Sequence, residues 1–253
     1  MCVLALAWDA HPRWRLVVAG NRDELHARPA TPLRRWGAPG HLLAGQDLES
    51  GGTWMGASEE GRLAVVTNLR GFGAPEPGRP SRGLLLRDLL AGAGRYADPT
   101  DADLAEFNPF NLLTLRNNEL AFWCNRPRPE RRILPAGLYG LSNGALDAPW
   151  PKTLQLKAAL QAWIGGAATR PEALLDSLRE EILPPVEAPA VPPSDVAQEP
   201  PQSPIFIRHP VYGTRCSTVA AIDQEGRGLI VERRFDANAE LVGETRLAFS
   251  WLR

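Results

Sequence analysis

The chain has 253 residues, a net charge of −1 at neutral pH, 44% hydrophobic residues and 23% charged residues. A globule of that length buries about three quarters of its unfolded surface, enough for two sheets with flanking helices. The near-zero charge excludes the basic excess of a general nucleic-acid binder. No segment approaches the ~18 uninterrupted apolar residues of a membrane-spanning helix. Three cysteines, Cys2, Cys124 and Cys216, fit neither a disulfide framework nor a zinc site. The four histidines, His11, His26, His41 and His209, have no metal-ligand spacing. The first apolar run lacks a positive leader and stops at Asp9, so no secretory signal is read and a cytoplasmic protein is expected.

In chain order, the first predicted strand covers residues 2–8 and opens on Cys2, directly behind Met1. Removal of Met1 leaves one residue with both a thiol and a free α-amine. Their ordinary pKa values, about 8.5 and about 7.7–8.0, allow proton exchange at neutral pH, which suits a nucleophile that carries its own base. The same residue also reads as a small buried hydrophobe in a first strand. A second strand over 14–20 ends in Asn21-Arg22-Asp23-Glu24. Polar residues ending an apolar strand lie where a sheet meets solvent, a usual seat of chemistry. Asp23 suits an ammonium partner, Arg22 a carboxylate or phosphate, and Asn21 the orientation of either. Read without function, the four make a solvated turn with internal ion pairs.

Further strands are predicted at 41–46, 53–57 and 63–68, separated by Gly51-Gly52 and Glu59-Glu60-Gly61. Ser81 caps a predicted helix running to about Leu90, whose leucines form an apolar face. Residues 111–116 and 120–124 make a hairpin around Asn117-Asn118, both tolerant of positive φ. One helix is predicted over 152–164, and another from Pro171 through Leu183 with Leu174, Leu175, Leu178 and Ile182 inward. Residues 184–204 hold eight prolines in 21. They read as a mobile surface loop within a single domain 1–253, either a lid over a site or a tolerated insertion. Strands return at 218–223, 228–235 and 244–251. Strands, then helices, then strands predict an α+β fold, two mainly antiparallel sheets sandwiched between helical layers. No cofactor site is read, because Ala19-Gly20 lacks the G-x-G-x-x-G spacing of a dinucleotide loop.

The remaining candidates are polar residues near the ends of apolar runs. The amides of Asn68 and Asn143 suit donation to an oxyanion, although Asn143-Gly144 is also an ordinary turn signal. Arg215 suits lowering a thiol pKa or binding an acyl head group, and otherwise a surface salt bridge. Cys216 is expected to pack, and Glu232 and Arg233 to form structural ion pairs.

Six ordered motifs resemble the NRDE family, whose eukaryotic members are called transport and Golgi organisation proteins. They are Met1-Cys2; Ala19-Gly20-Asn21-Arg22-Asp23-Glu24 with Arg28-Pro29; Gly51-Gly52-Thr53-Trp54-Met55-Gly56; and Leu63-Ala64-Val65-Val66-Thr67-Asn68. Tyr139-Gly140-Leu141-Ser142-Asn143 with Pro149-Trp150-Pro151-Lys152 follows, and Tyr212-Gly213-Thr214-Arg215 with Ser217-Thr218 and Glu232-Arg233 closes the set. The resemblance spans nearly the whole chain. It implies the four-layer αββα sandwich of the N-terminal nucleophile hydrolases, near the cysteine acylases of bile-salt conjugates, penicillin V and N-acylethanolamines. Their Arg-Asn-x-Asp motif is not reproduced here, so only Asp23, as partner of the Cys2 amine, and Asn68 and Asn143, as oxyanion donors, carry over. The implied activity is hydrolysis of an amide or thioester of a lipophilic acyl group by Cys2. The alternatives on the same fold are a carrier of acyl-CoA or another lipid anion, held by Arg22 and Arg215 with Trp54 beside the tail, and a haem-trafficking protein. The implied partner is a small lipophilic or anionic acyl ligand, and no nucleic acid or integral membrane segment is implied.

Overall fold

In the first strand, β1 (Val3–Trp8), every residue is buried on both faces, as a central strand requires. Alternation sends Val3, Ala5 and Ala7 one way and Leu4, Leu6 and Trp8 the other. The computed structural model describes residues 3–37, 41–166, 170–183, 191–194, 199 and 202–251. The chain continues through β2 (Trp14–Leu25), β3 (Ala30–Arg35), β4 (Leu42–Asp47), β5 (Met55–Ser58) and β6 (Arg62–Asn68). Next come α1 (Arg82–Ala91), α2 (Asp101–Ala105), β7 (Phe110–Arg116), β8 (Glu119–Cys124), β9 (Glu130–Ile133) and β10 (Gly137–Leu141). The order closes with α3 (Pro151–Gly165), a 3-10 turn (Pro171–Ala173), α4 (Leu174–Ser177), β11 (Tyr212–Asp223), β12 (Arg227–Phe235) and β13 (Leu241–Ser250).

The strands form two sheets, ordered β10-β1-β2-β11-β12-β13 and β3-β4-β5-β6-β7-β8-β9. Every pairing is antiparallel. The second sheet is a sequential meander. The first joins the beginning of the chain to its last strands. Between the sheets, Leu4, Leu6, Leu16 and Val18 meet Leu43, Leu63, Val65 and Leu113. Helix α3 covers the outer face of the first sheet, with Leu156, Leu160 and Trp163 against Val3, Ala5, Val17 and Ala19. Helix α1 covers the second sheet, with Leu85, Leu86 and Leu90 on Leu42, Ala64 and Val66. The result is the expected four-layer αββα sandwich. Truncating one such leucine to alanine costs about 2–5 kcal/mol, so each helical layer is held firmly.

Helix α1 begins where Ser81 Oγ accepts the Gly83 N–H at 3.1 Å. Its first turn lies directly on the chain entering β5. A Cβ added to Gly52 would come within 2.2 Å of the Gly83 carbonyl carbon, and Thr53 N–H donates to Gly83 O at 3.1 Å. Backbone against backbone permits no side chain there. The Asn117-Asn118 hairpin has the expected positive φ at both residues.

Three expectations need correction. Strand β2 does not end at Gly20; it continues through the polar tetrad, because β11 pairs with it from Asp223↔Trp14 to Tyr212↔Leu25. Arg215 therefore sits within a strand, at a register shift between Thr214 and Cys216. The helix expected to reach Leu183 stops at Ser177. Phe206 N–H bonds Glu180 O at 2.8 Å, drawing the chain out alongside 205–207, and Ile182 is 73% exposed rather than inward. Strand β3, which contains Pro32, has no counterpart among the predicted strands. As an edge strand with a register irregularity between Thr31 and Arg34, it tolerates the missing donor. Most of the proline-rich 184–204 lies outside the described residues.

Candidate functional site

At one end of the sandwich, the beginning of β1 lies between two polar segments. Val3 faces Asn21 on β2, and Leu4 faces Leu141 on β10, just before Ser142-Asn143. Cys2, the expected nucleophile, lies outside the described residues.

Asn21 and Asp23 share the helix-facing side of β2. Asn21 is fully buried. Its Nδ2 donates to Leu178 O and Ile205 O, each at 2.8 Å, and its Oδ1 accepts from Ser217 Oγ at 2.7 Å. Those bonds use both donor hydrogens, so Asn21 braces the wall and does not offer its amide to a ligand. Asp23 is buried too, and its Oδ1 accepts from Thr214 Oγ1 at 2.6 Å. Burial pushes its carboxyl above the ordinary range, while the nearby Lys152 charge and the Thr214 bond oppose that rise. Asn21, Arg22 and Asp23 are thus buried within a strand and not part of a solvated turn, and only Glu24 of the four is partly exposed.

Across the opening, the end of β6 is stitched to the chain leaving β10. Thr67 Oγ1 donates to Ser142 O at 2.9 Å, and Asn143 Nδ2 donates to Asn68 O at 3.0 Å. Arg70 N–H donates to Asn143 O at 2.8 Å. Asn143 is buried, and its Oδ1 has no hydrogen-bond partner among the described residues. A buried acceptor left open in this way favours a ligand or terminal group with an N–H to give. Asn143 and Asn68 therefore come together, though through the Asn68 carbonyl and not side chain to side chain.

A second group of charges lies close by. Arg70 is buried, pairs with buried Glu199, and holds its guanidinium carbon 5.7 Å from the Trp150 ring centroid. Lys152, also buried, donates from Nζ to Ser203 Oγ at 2.8 Å. Arg70 and Glu199 had no place among the expected site residues. The only sequence signal was the position of Arg70, two residues after Asn68. Glu199 and Ser203 belong to the proline-rich stretch, whose composition says nothing about where it packs.

Arg22, on the opposite face of β2, points between the sheets. It pairs with Asp47 at 3.1 Å, and its guanidinium carbon lies 4.4 Å from the Trp54 ring centroid. Arg28 joins the same carboxylate at 2.6 Å. Burial works against the Asp47 charge, yet the Arg28 and Ser50 hydrogen bonds and the Arg22 charge hold its carboxyl below the usual range. Asn68 shares a surface cleft with Arg22, Arg28, Trp54 and Arg82. A neighbouring cavity of about 150 Å³ is lined by Arg22, Trp54, Arg215, Glu232, Arg234 and Phe235. Arg22, Arg215 and Trp54 thus gather as expected. However, Arg22 is already matched by Asp47, and Arg215 NH1 donates to Leu25 O and Arg28 O, both at 2.9 Å. Burial and the Arg22 charge lower the Arg215 pKa.

Cys216 is packed in the core, and burial with the adjacent Glu232 pushes its thiol pKa far up. Among the described residues Glu232 does not form the expected ion pair. It is buried and accepts the Leu33 N–H at 2.8 Å, with its carboxyl raised by burial. Arg233 does pair, with Glu244 at 2.8 Å and Asp176 at 3.0 Å. Among the described residues no group of His, Cys, Asp or Glu is arranged to hold a metal, and no helix is long and apolar enough to cross a membrane.

Comparison with known proteins agrees with this architecture. The profile of the family described as Transport and Golgi organisation 2 matches residues 1–237. A Mus musculus protein, "Transport and Golgi organization 2 homolog", is 30% identical over 256 residues, spanning 92% of each chain. A Bos taurus "Transport and Golgi organization protein 2 homolog" is 32% identical over 267 residues, again 92% of each. Among solved structures, the Caenorhabditis elegans N-acylethanolamine-hydrolyzing acid amidase ortholog superposes with a TM-score of 0.51 at 12% identity, covering 86% of this chain and 92% of that one. That likeness establishes a shared fold.

Proposed function

The chain belongs to the Transport and Golgi organisation 2 family, and from that premise we propose a cysteine acyl hydrolase of the N-terminal nucleophile kind. Its substrate is an amide or thioester of a lipophilic acyl group, attacked by Cys2 once Met1 has been removed. The observation that carries this reading is the setting of β1. The strand starts between buried Asp23 on one side and the Asn68–Asn143 pair on the other. The fold shared with the Caenorhabditis elegans N-acylethanolamine-hydrolyzing acid amidase ortholog supports the same class of bond.

In this scheme the Cys2 α-amine takes the thiol proton, and the thiolate adds to the acyl carbonyl carbon. The oxygen of the tetrahedral adduct receives hydrogen bonds from the Asn143 and Asn68 amides. The ammonium then returns its proton to the departing amine or thiol, leaving a thioester on Cys2. Water, deprotonated by the same amine, releases the acid and restores the thiol. Asp23 holds the amine in place, and the nearby Lys152 charge opposes the rise that burial gives the Asp23 carboxyl.

A carrier reading has one observation in its favour, the cavity that combines Arg22, Arg215 and Arg234 with Trp54 and Phe235. Such a lining suits an amphipathic acyl anion. The two readings separate in one experiment. Intact-mass measurement first reports whether Met1 has been removed, and retained Met1 counts against the hydrolase. Wild type, Cys2→Ser and Cys2→Ala are then assayed against a panel of acyl amides and acyl thioesters. Loss of turnover with retained ligand binding in the Cys2 variants supports the hydrolase. Binding without turnover in wild type, and equal binding in Cys2→Ala, supports the carrier.

A further inference from the structure

Beside the Asn68–Asn143 pair the protein buries two cations, Arg70 with 3% and Lys152 with 4% of its surface exposed. Two carboxylates face them. Asp23 is part of β2, whereas Glu199, whose side chain is 4% exposed, comes from the distant proline-rich stretch. Burying a guanidinium or an ammonium is costly unless an anion accompanies it. Without Glu199, two positive charges would share one negative charge, and the pocket would require one further anion. Arg70 Nε is buried and has no hydrogen-bond partner among the described residues, so the guanidinium retains donor capacity. Its backbone N–H donates to Asn143 O, which anchors the main chain of Arg70 beside the candidate oxyanion pair. The adjoining void, between Arg70, Trp150, Lys152 and Ser203, measures about 10 Å³, room for roughly one water. With Glu199 seated, no ligand enters. With it withdrawn, the vacated space has the dimensions of a carboxylate on a short aliphatic arm.

We propose that Arg70 and Lys152 form a carboxylate subsite of the acyl pocket, that Glu199 fills it as an intramolecular stand-in, and that the natural ligand carries an anionic group which displaces Glu199. This deepens the acyl-site reading given above and rests on it for the location of the pocket. The ligand class is an acyl compound with one carboxylate, or an equivalent monoanion, a short chain away from the bond attached at Asn68–Asn143. Trp150 provides the flat apolar wall beside the guanidinium.

The test is a binding titration that needs no turnover, performed with Cys2→Ala as the parent protein. The probe is N-acetyl-L-glutamate α-amide, a copy of the Glu199 side chain, with N-acetyl-L-glutamine α-amide as its uncharged counterpart. Glu199→Ala is expected to bind the charged probe at least tenfold more tightly than the parent and to ignore the neutral one. Adding Arg70→Gln should abolish the gain, and adding Arg70→Lys should retain part of it. Equal affinity of parent and Glu199→Ala for the charged probe, or equal binding of both probes, overturns the subsite. Should Glu199→Ala fold poorly, Glu199→Gln is melted with and without the charged probe. A rise in Tm confined to the variant supports the subsite, and no rise refutes it. Because the parent lacks the Cys2 thiol, a failed hydrolase assay leaves this result standing, and a failed titration leaves the hydrolase standing.

Discussion

Replacing Asn21 with alanine would remove three hydrogen bonds at a point where three separate segments converge. Leu178 O and Ile205 O each lose a donor at 2.8 Å, and Ser217 Oγ loses its acceptor at 2.7 Å. A buried polar group deprived of its partner costs about 1–3 kcal/mol. The carbonyls retain other lone-pair directions, so the lower part of that range applies to each group, and the sum is about 3–5 kcal/mol. Against a total stability of about 5–15 kcal/mol for a folded protein, that loss is severe. Equilibrium unfolding in urea reads it as a fall in the midpoint at unchanged slope. Asn21→Asp sharpens the comparison. It preserves shape and the acceptor for Ser217 but turns an oxygen toward two carbonyl oxygens. It should be at least as unstable at neutral pH and recover partly in acid, where the new carboxyl is protonated. A loss below about 1 kcal/mol in Asn21→Ala, on the same scale, would refute the bracing role and return Asn21 to the ligand-contacting set.

Asp47→Asn should cost about 3 kcal/mol, the low end of the range for a broken buried pair, because it removes the nearer carboxylate of buried Arg22 and leaves only Glu24 at 3.8 Å. In wild type the Asp47 carboxyl titrates below its unfolded value, so its contribution is complete above the ordinary aspartate range and disappears as pH falls through the lower folded value. Acid titration of stability should therefore be shallower in Asp47→Asn, and an unchanged acid limb would refute that linkage. Iodoacetamide at neutral pH should label Cys2 well before Cys124 or Cys216, whose thiols are both raised by burial. Peptide mapping that shows Cys2 reacting no faster than these two would remove the case for an activated nucleophile.

The strand pattern was legible because alternation and turn residues are local signals. Leu63-Ala64-Val65-Val66 and the Asn117-Asn118 hairpin declare themselves within a few residues. The polar half of β2 was not, since nothing near Asn21-Arg22-Asp23 reveals that β11, about 190 residues later, extends the ladder beside it. Ile182 was misplaced for a related reason. Its leucine-rich neighbours have helical spacing, but a backbone bond to Phe206 ends the helix first. Asp23, Asn68 and Asn143 were singled out by residue type and motif, and their grouping at the start of β1 is visible only in three dimensions. Glu199 is the extreme case, because its role depends on where a proline-rich stretch lands.

The strand order of the first sheet also sets a timetable for synthesis. Strands β3 to β9 are neighbours in sequence as well as in space, so the second sheet can assemble as the chain emerges. Strand β2 must wait for β11, and loop closure of that length makes such pairings slow. The Asp23–Thr214 and Asn21–Ser217 bonds therefore cannot form until residues 214–217 have left the ribosome. A nascent chain truncated before β11 holds Asn21 and Asp23 without Ser217 and Thr214, their partners on that strand. Completion of the chain is what assembles the buried setting of Asn21 and Asp23.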